Sequence, residues 1–130
     1  MSDKWLDEID KNLLVVTAVE GYAHNHNIEA KTAFKTLSNH NMISLVREQY
    51  DALHTQKMGY FEFNGQDITL DVLMKIEKVV RLLAKSKNIS FDKMLGLFYE
   101  SKTYRNLSNT QSRLWAESAE FIADDYERIG

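Results

Sequence analysis

The chain has 130 residues, 44% hydrophobic and 27% charged, with a formal net charge of −3. That is enough for one compact domain with a core, and too acidic for general attraction to nucleic-acid phosphates. The absence of cysteine excludes disulfides and thiolate-based metal or redox chemistry, and the absence of proline leaves few forced breaks in a helix.

The first helix is expected to start after Ser2 or Asp3, either of which can accept a backbone N–H at a helix start. Trp5, Leu6, Ile9, Leu13, Val16, Val19 and Tyr22 recur at three- and four-residue steps and define one face. Asn25-His26-Asn27 ends it. A short helix follows at about 29–38, with Ala30, Ala33, Phe34 and Leu37 inward. The polar run Ser38–Asn41 makes a turn, and Ile43, Val46, Tyr50 and Leu53 mark a third helix to about residue 54.

Residues 54–59 read as a loop. Tyr60-Phe61-Glu62-Phe63 favours an extended conformation, and Asn64-Gly65 is a turn signal. The residues after Gly65 do not alternate, so a short extended piece near 60–63, leading into a helix capped by Asp67, is preferred to a β-hairpin. Ile68, Val72, Ile76, Val79, Val80 and Leu83 make the fourth helix, to about Lys87. Ser90 caps a fifth, with Phe91, Met94, Leu95 and Phe98 inward. Ser101 starts a short helix with Tyr104 and Leu107, and Ser108–Arg113 is a polar loop. Ser118 caps a last helix carrying Phe121, Ile122, Tyr126 and Ile129.

The order of parts repeats. Asn27-Ile28 answers Asn88-Ile89, Val19 and Ala23 answer Val80 and Ala84, and Glu48–Asp51 answers Asp124–Glu127 at a larger offset. The expected architecture is all-α: a single compact domain over 1–130, with six to seven helices in two related three-helix units at 3–66 and 67–130. The unshared pieces, 54–66 in one unit and 101–117 in the other, are the expected place for a binding surface.

Few residues carry chemistry. His24 and His26, two apart, point from different helical faces, unlike the four-residue spacing of helical metal ligands; they suit a helix C-terminus. His54 reads as bracing loop carbonyls. Glu117, Glu120, Asp124, Asp125 and Glu127 read as a solvated acidic face, with a basic partner surface as the second reading. No glycine-rich phosphate loop, Gly-x-Ser-x-Gly turn or His-Glu-x-x-His run occurs. No catalytic, cofactor or metal residue is therefore expected. Residues 1–10 lack an apolar stretch of signal-peptide length, and no segment approaches the ~20 apolar residues that span a bilayer, so the expected location is cytoplasmic, without membrane.

At Tyr50-Asp51-Ala52-Leu53-His54-Thr55, followed by Tyr60-Phe61 and Asp67-Ile68, the chain resembles a bacterial domain family of unknown function over residues 10–72. It departs from that family's pattern where an aromatic follows Asp-Ile, since Asp71 and Val72 stand there. Residues 89–129 resemble a second small uncharacterised family through Asn88–Phe91, Ser101–Leu107 and Leu114–Ser118. Both families are similar to small genes beside ADP-ribosyltransferase-like toxins. The resemblance implies a non-enzymatic protein-interaction module of antitoxin, immunity or adaptor type, with a toxin-like enzyme as protein partner. Self-association as a homodimer is compatible with it. The alternative is a DNA-binding transcriptional regulator, against which the acidic balance weighs. The candidate interaction residues are Tyr50, Asp51, His54, Tyr60, Phe61, Phe63, Tyr104 and Trp115.

Overall fold

A computed structural model describes residues 4–48 and 59–130. The fold is all-α, with seven α-helices and one two-stranded ribbon among the described residues. The chain divides into two compact units, Met1–Gln56 and Lys57–Gly130. Tyr50, Asp51, Leu53 and His54, and the caps foreseen at Ser2 or Asp3, lie outside the described residues.

The first unit holds α1 (Lys4–His26), α2 (Ala30–Asn39) and α3 (Met42–Glu48). Each packs against the other two. Val15, Val16, Val19 and Ala23 of α1 meet Ala30, Ala33 and Leu37 of α2 and Ile43 of α3 in a buried core. The alanines let the axes approach closely, and each buried aliphatic side chain contributes about 1.5–3 kcal/mol. Asn27 ends α1 in the left-handed conformation, φ 54°, so the Ile28 N–H returns to the Ala23 carbonyl at 3.0 Å. This six-to-one bond satisfies a carbonyl that the helix end would leave unpaired.

The second unit begins with a feature the sequence pattern argued against. Glu62–Phe63 (β1) and Gln66–Asp67 (β2) form an antiparallel hairpin, with Glu62 opposite Asp67 and Phe63 opposite Gln66. Asn64 and Gly65 take φ 52° and 80°, the sign pattern of a two-residue hairpin turn that follows strand twist. Alternation failed as a guide because two-residue strands are too short to show a period. The N-cap of the following helix is Ile68, one residue later than the expected Asp67, but the Asp67 carboxylate still accepts the Thr69 N–H at 3.0 Å and the Gly59 N–H at 3.2 Å. The buried Thr69 hydroxyl accepts the Phe61 N–H at 3.0 Å. These bonds fix the hairpin to the start of α4.

Helix α4 (Thr69–Lys87) packs against α5 (Phe91–Tyr99) and α7 (Ala119–Ile129), and α6 (Lys102–Ser108) touches both α5 and α7. The core comprises Val72, Leu73, Ile76, Val79, Val80 and Leu83, closed by Met94, Leu95, Phe98, Leu107 and Ile122. Phe121 and Ile129 of α7 stay out of it, 48% and 40% exposed. Lys78 pairs with Glu120 at 3.8 Å and Lys87 with Glu127 at 3.2 Å. Pairs that advance together along both helices mean that α4 and α7 run parallel. Ser90, Ser101 and Ser118 cap α5, α6 and α7 through bonds of 3.0–3.1 Å to the third residue on. The α6 start is closed further by the Gly130 carbonyl, which accepts from Lys102 N at 2.9 Å and Thr103 N at 3.3 Å. Instead of a plain loop, 110–116 winds into two 3-10 turns, Thr110–Ser112 and Leu114–Ala116.

Candidate interaction surface

The two 3-10 turns are held by their own polar side chains. Asn109 Oδ1 accepts the Gln111 N–H at 3.1 Å, and Ser112 Oγ accepts the Leu114 N–H at 3.1 Å. The same hydroxyl donates to the Asn106 carbonyl at 2.5 Å, tying the turns to α6. Between the turns Arg113 sits at φ 61°, an uncommon conformation for a long side chain.

That kink sends Arg113 and Trp115 to the hairpin. The Arg113 guanidinium lies 5.0 Å from the centre of the Phe63 ring, within cation–π range. The Trp115 ring meets Phe63 edge-on at 5.5 Å and 62°. Its indole N–H is satisfied by the Thr110 carbonyl at 2.9 Å, which leaves the ring itself as contact surface. Phe63 and Trp115 are half-buried and Arg113 is exposed. A cation and two aromatic rings are thus held by hydrogen-bonded turns, at the junction of the hairpin with the 3-10 segment.

The remaining candidates separate from this cluster. Phe61 is 6% exposed, a core residue with no surface to offer. Tyr60 is half-buried. Tyr104 packs on Phe98 at 5.9 Å and edge-on to Tyr99 at 4.9 Å, so its ring closes the unit between α5 and α6. Tyr50, Asp51 and His54 lie outside the described residues. The two unshared segments do meet, through Phe63 and Trp115. Arg113 was missed because it stood at the end of an apparently polar loop. A usable signal was present, since the charged residues of 101–116 are Lys102, Arg105 and Arg113, all cations, bracketed by Glu100 and Glu117.

His26 stacks on Tyr22 with ring centres 4.1 Å apart. His24 lies 3.8 Å from Glu20, and its pKa falls below the usual 6.5 because burial penalises the cation. Among the described residues no three His, Asp or Glu gather as a metal site, and no helix is long and apolar enough to cross a membrane. The acidic face of α7 is partly neutralised by Lys78, Lys87 and Arg128.

The class defined by these features is a small all-α protein with an aromatic–arginine cluster on one hairpin-capped unit. Residues 14–60 match the model of a family described as a protein of unknown function (DUF3791). That match covers α1 from residue 14 onward, all of α2 and α3, and reaches Tyr60; the aromatic–arginine cluster lies beyond it. No curated protein and no solved structure gives a significant match.

Proposed function

We propose that this protein is a non-enzymatic protein-interaction module, of the antitoxin, immunity or adaptor kind, and that its second unit presents the contact surface. The observation that carries the reading is the placement of Phe63, Arg113 and Trp115 in one cluster. Aromatic residues and arginine dominate the energetic centres of protein interfaces, and a pre-ordered cluster loses little entropy on binding. The turns that hold it use their hydroxyl and amide groups on backbone, which suits support of a surface more than acid–base work. The resemblance to small families encoded beside toxins suggests the kind of partner, a toxin-like enzyme encoded nearby.

Co-expression with that neighbour, followed by affinity capture from either side, tests the proposal. A one-to-one complex that Trp115→Ala weakens by about tenfold or more, with the helical circular dichroism unchanged, is the expected result. Capture unaffected by Trp115→Ala and Phe63→Ala would remove this surface from the account.

A further inference from the structure

Arg113 is exposed, and no carboxylate among the described residues pairs with it. The same holds for Lys102 and Arg105, both exposed on α6, the helix on which the 3-10 turns pack. On α4, by comparison, three of the five cations, Lys78, Arg81 and Lys87, have a carboxylate partner. The chain as a whole is acidic, at −3, yet between Glu100 and Glu117 every charge is positive and unanswered. Trp115 lies inside that same stretch, and Phe63 meets it from the hairpin.

We infer that the Phe63–Arg113–Trp115 face receives an acidic segment of a protein partner, with one partner carboxylate taken by the Arg113 guanidinium while an apolar side chain rests on the Trp115 ring. The inference rests on the interaction-module reading and adds the partner's chemistry to it. A guanidinium over an aromatic face still offers its N–H fork, which lies in the guanidinium's own plane, for bidentate carboxylate contact. Lys102 and Arg105 add a local positive field that speeds encounter with an acidic surface and loses strength as salt rises. An isolated carboxylate would gain little at such an exposed site. The adjoining aromatic surface supplies the apolar contact that makes a mixed acidic–apolar segment the fitting occupant. Nucleic acid is the competing polyanion, and the oligonucleotides in the test distinguish it from an acidic peptide.

The test uses the purified full chain and an array of short peptides in which Asp and Glu alternate with Leu and Phe. Matched peptides carry Asn and Gln at the acidic positions, and single-stranded oligonucleotides are run alongside. Arg113→Asn removes the guanidinium while keeping a residue that tolerates positive φ; Arg113→Lys keeps the charge without the fork. The expected result is binding to acidic peptides over their amide counterparts, weakened about tenfold or more by Arg113→Asn, partly restored by Arg113→Lys, and declining with salt. Equal binding of acidic and amide peptides, no binding of either, or tighter binding of oligonucleotides overturns the inference. The neighbour-capture experiment separates the two claims. Loss of the complex with Trp115→Ala but not with Arg113→Asn keeps the module and rejects the acidic partner, whereas a complex indifferent to both rejects the module's surface.

Discussion

Asn27 and Asn88 occupy the same left-handed conformation, φ 54° and 57°, and each is followed by an isoleucine whose N–H reaches an alanine carbonyl at 3.0 Å, Ala23 in one case and Ala84 in the other. The two long helices therefore end in the same motif, set 61 positions apart, and feed into a second helix that packs back on the first. Ala33 and Leu37 in one unit, and Met94 and Phe98 at the same offset in the other, are all buried.

The shared ending predicts a shared response to substitution. Asn88→Ala is expected to cost about 1 kcal/mol, because a Cβ-bearing residue without a local hydrogen-bonding side chain is strained at positive φ, whereas Asn88→Gly is neutral or stabilising. Asn27→Ala and Asn27→Gly should show the same contrast. Urea unfolding curves of the four variants provide the comparison; equal costs for alanine and glycine would mean that the conformation is not what selects asparagine.

Glu77 is 3% exposed, and its carboxylate accepts from Arg81 Nε at 2.8 Å and Nη2 at 3.2 Å. Arg81→Ala leaves that buried carboxylate short of two donors, and a loss of roughly 1–3 kcal/mol is expected. The double replacement Glu77→Leu with Arg81→Leu should lose less than Arg81→Ala alone, since no buried charge is then stranded. Thermal melts of both variants measure the order; the reverse order would show that the pair's mutual attraction outweighs the cost of desolvation.

The His24 ring carries a pH prediction. Glu20 at 3.8 Å favours the imidazolium, but burial works against it and has the larger effect, so the folded pKa lies below the usual 6.5. The unfolded chain then binds this proton more readily than the folded one. The stabilisation is fully present above pH 6.5 and is lost as pH falls through the lowered value. The urea midpoint should decline between about pH 7 and about pH 5 in the native chain and decline less in His24→Gln. An identical slope in both would assign the decline to other groups.

Much of this was legible in the sequence because helices announce themselves by period. The long faces of α1 and α4 and the caps at Ser90, Ser101 and Ser118 follow from apolar spacing and from serine before an apolar run. The Asn-Ile junctions were visible as a repeated pair, and asparagine's tolerance of positive φ explains its place there. The hairpin was not legible, since its strands hold two residues each and Asp67 looked fully occupied as a helix cap. The surface was only half legible. Phe63 and Trp115 stood out as aromatic mass, but nothing local said that Phe61 would turn inward while Phe63 met a tryptophan 52 positions later. Such a meeting is tertiary, and Arg113 enters it through a backbone kink that arginine's own propensity disfavours.

The hairpin that carries Phe63 depends on Gly65 at φ 80°, where an added Cβ would meet nothing within 4 Å. The cost of Gly65→Ala is therefore conformational, about 1 kcal/mol. It should fall locally, raising amide hydrogen exchange at residues 59–67 while the core of α4 stays protected. A uniform rise across the second unit would instead make the hairpin part of its global stability.

The central claim is that partners meet this protein where the hairpin joins the 3-10 turns. Site-specific photo-crosslinking tests it most directly, with a benzophenone side chain placed at exposed Gln111 beside the cluster and, in a separate variant, at exposed Lys35 in the first unit. Irradiation of cells producing each variant should give a discrete protein adduct from position 111 that is lost when Trp115→Ala is added, and none of that mass from position 35. The same adduct from position 35 but not from 111, or an adduct at 111 indifferent to Trp115→Ala, would contradict the account.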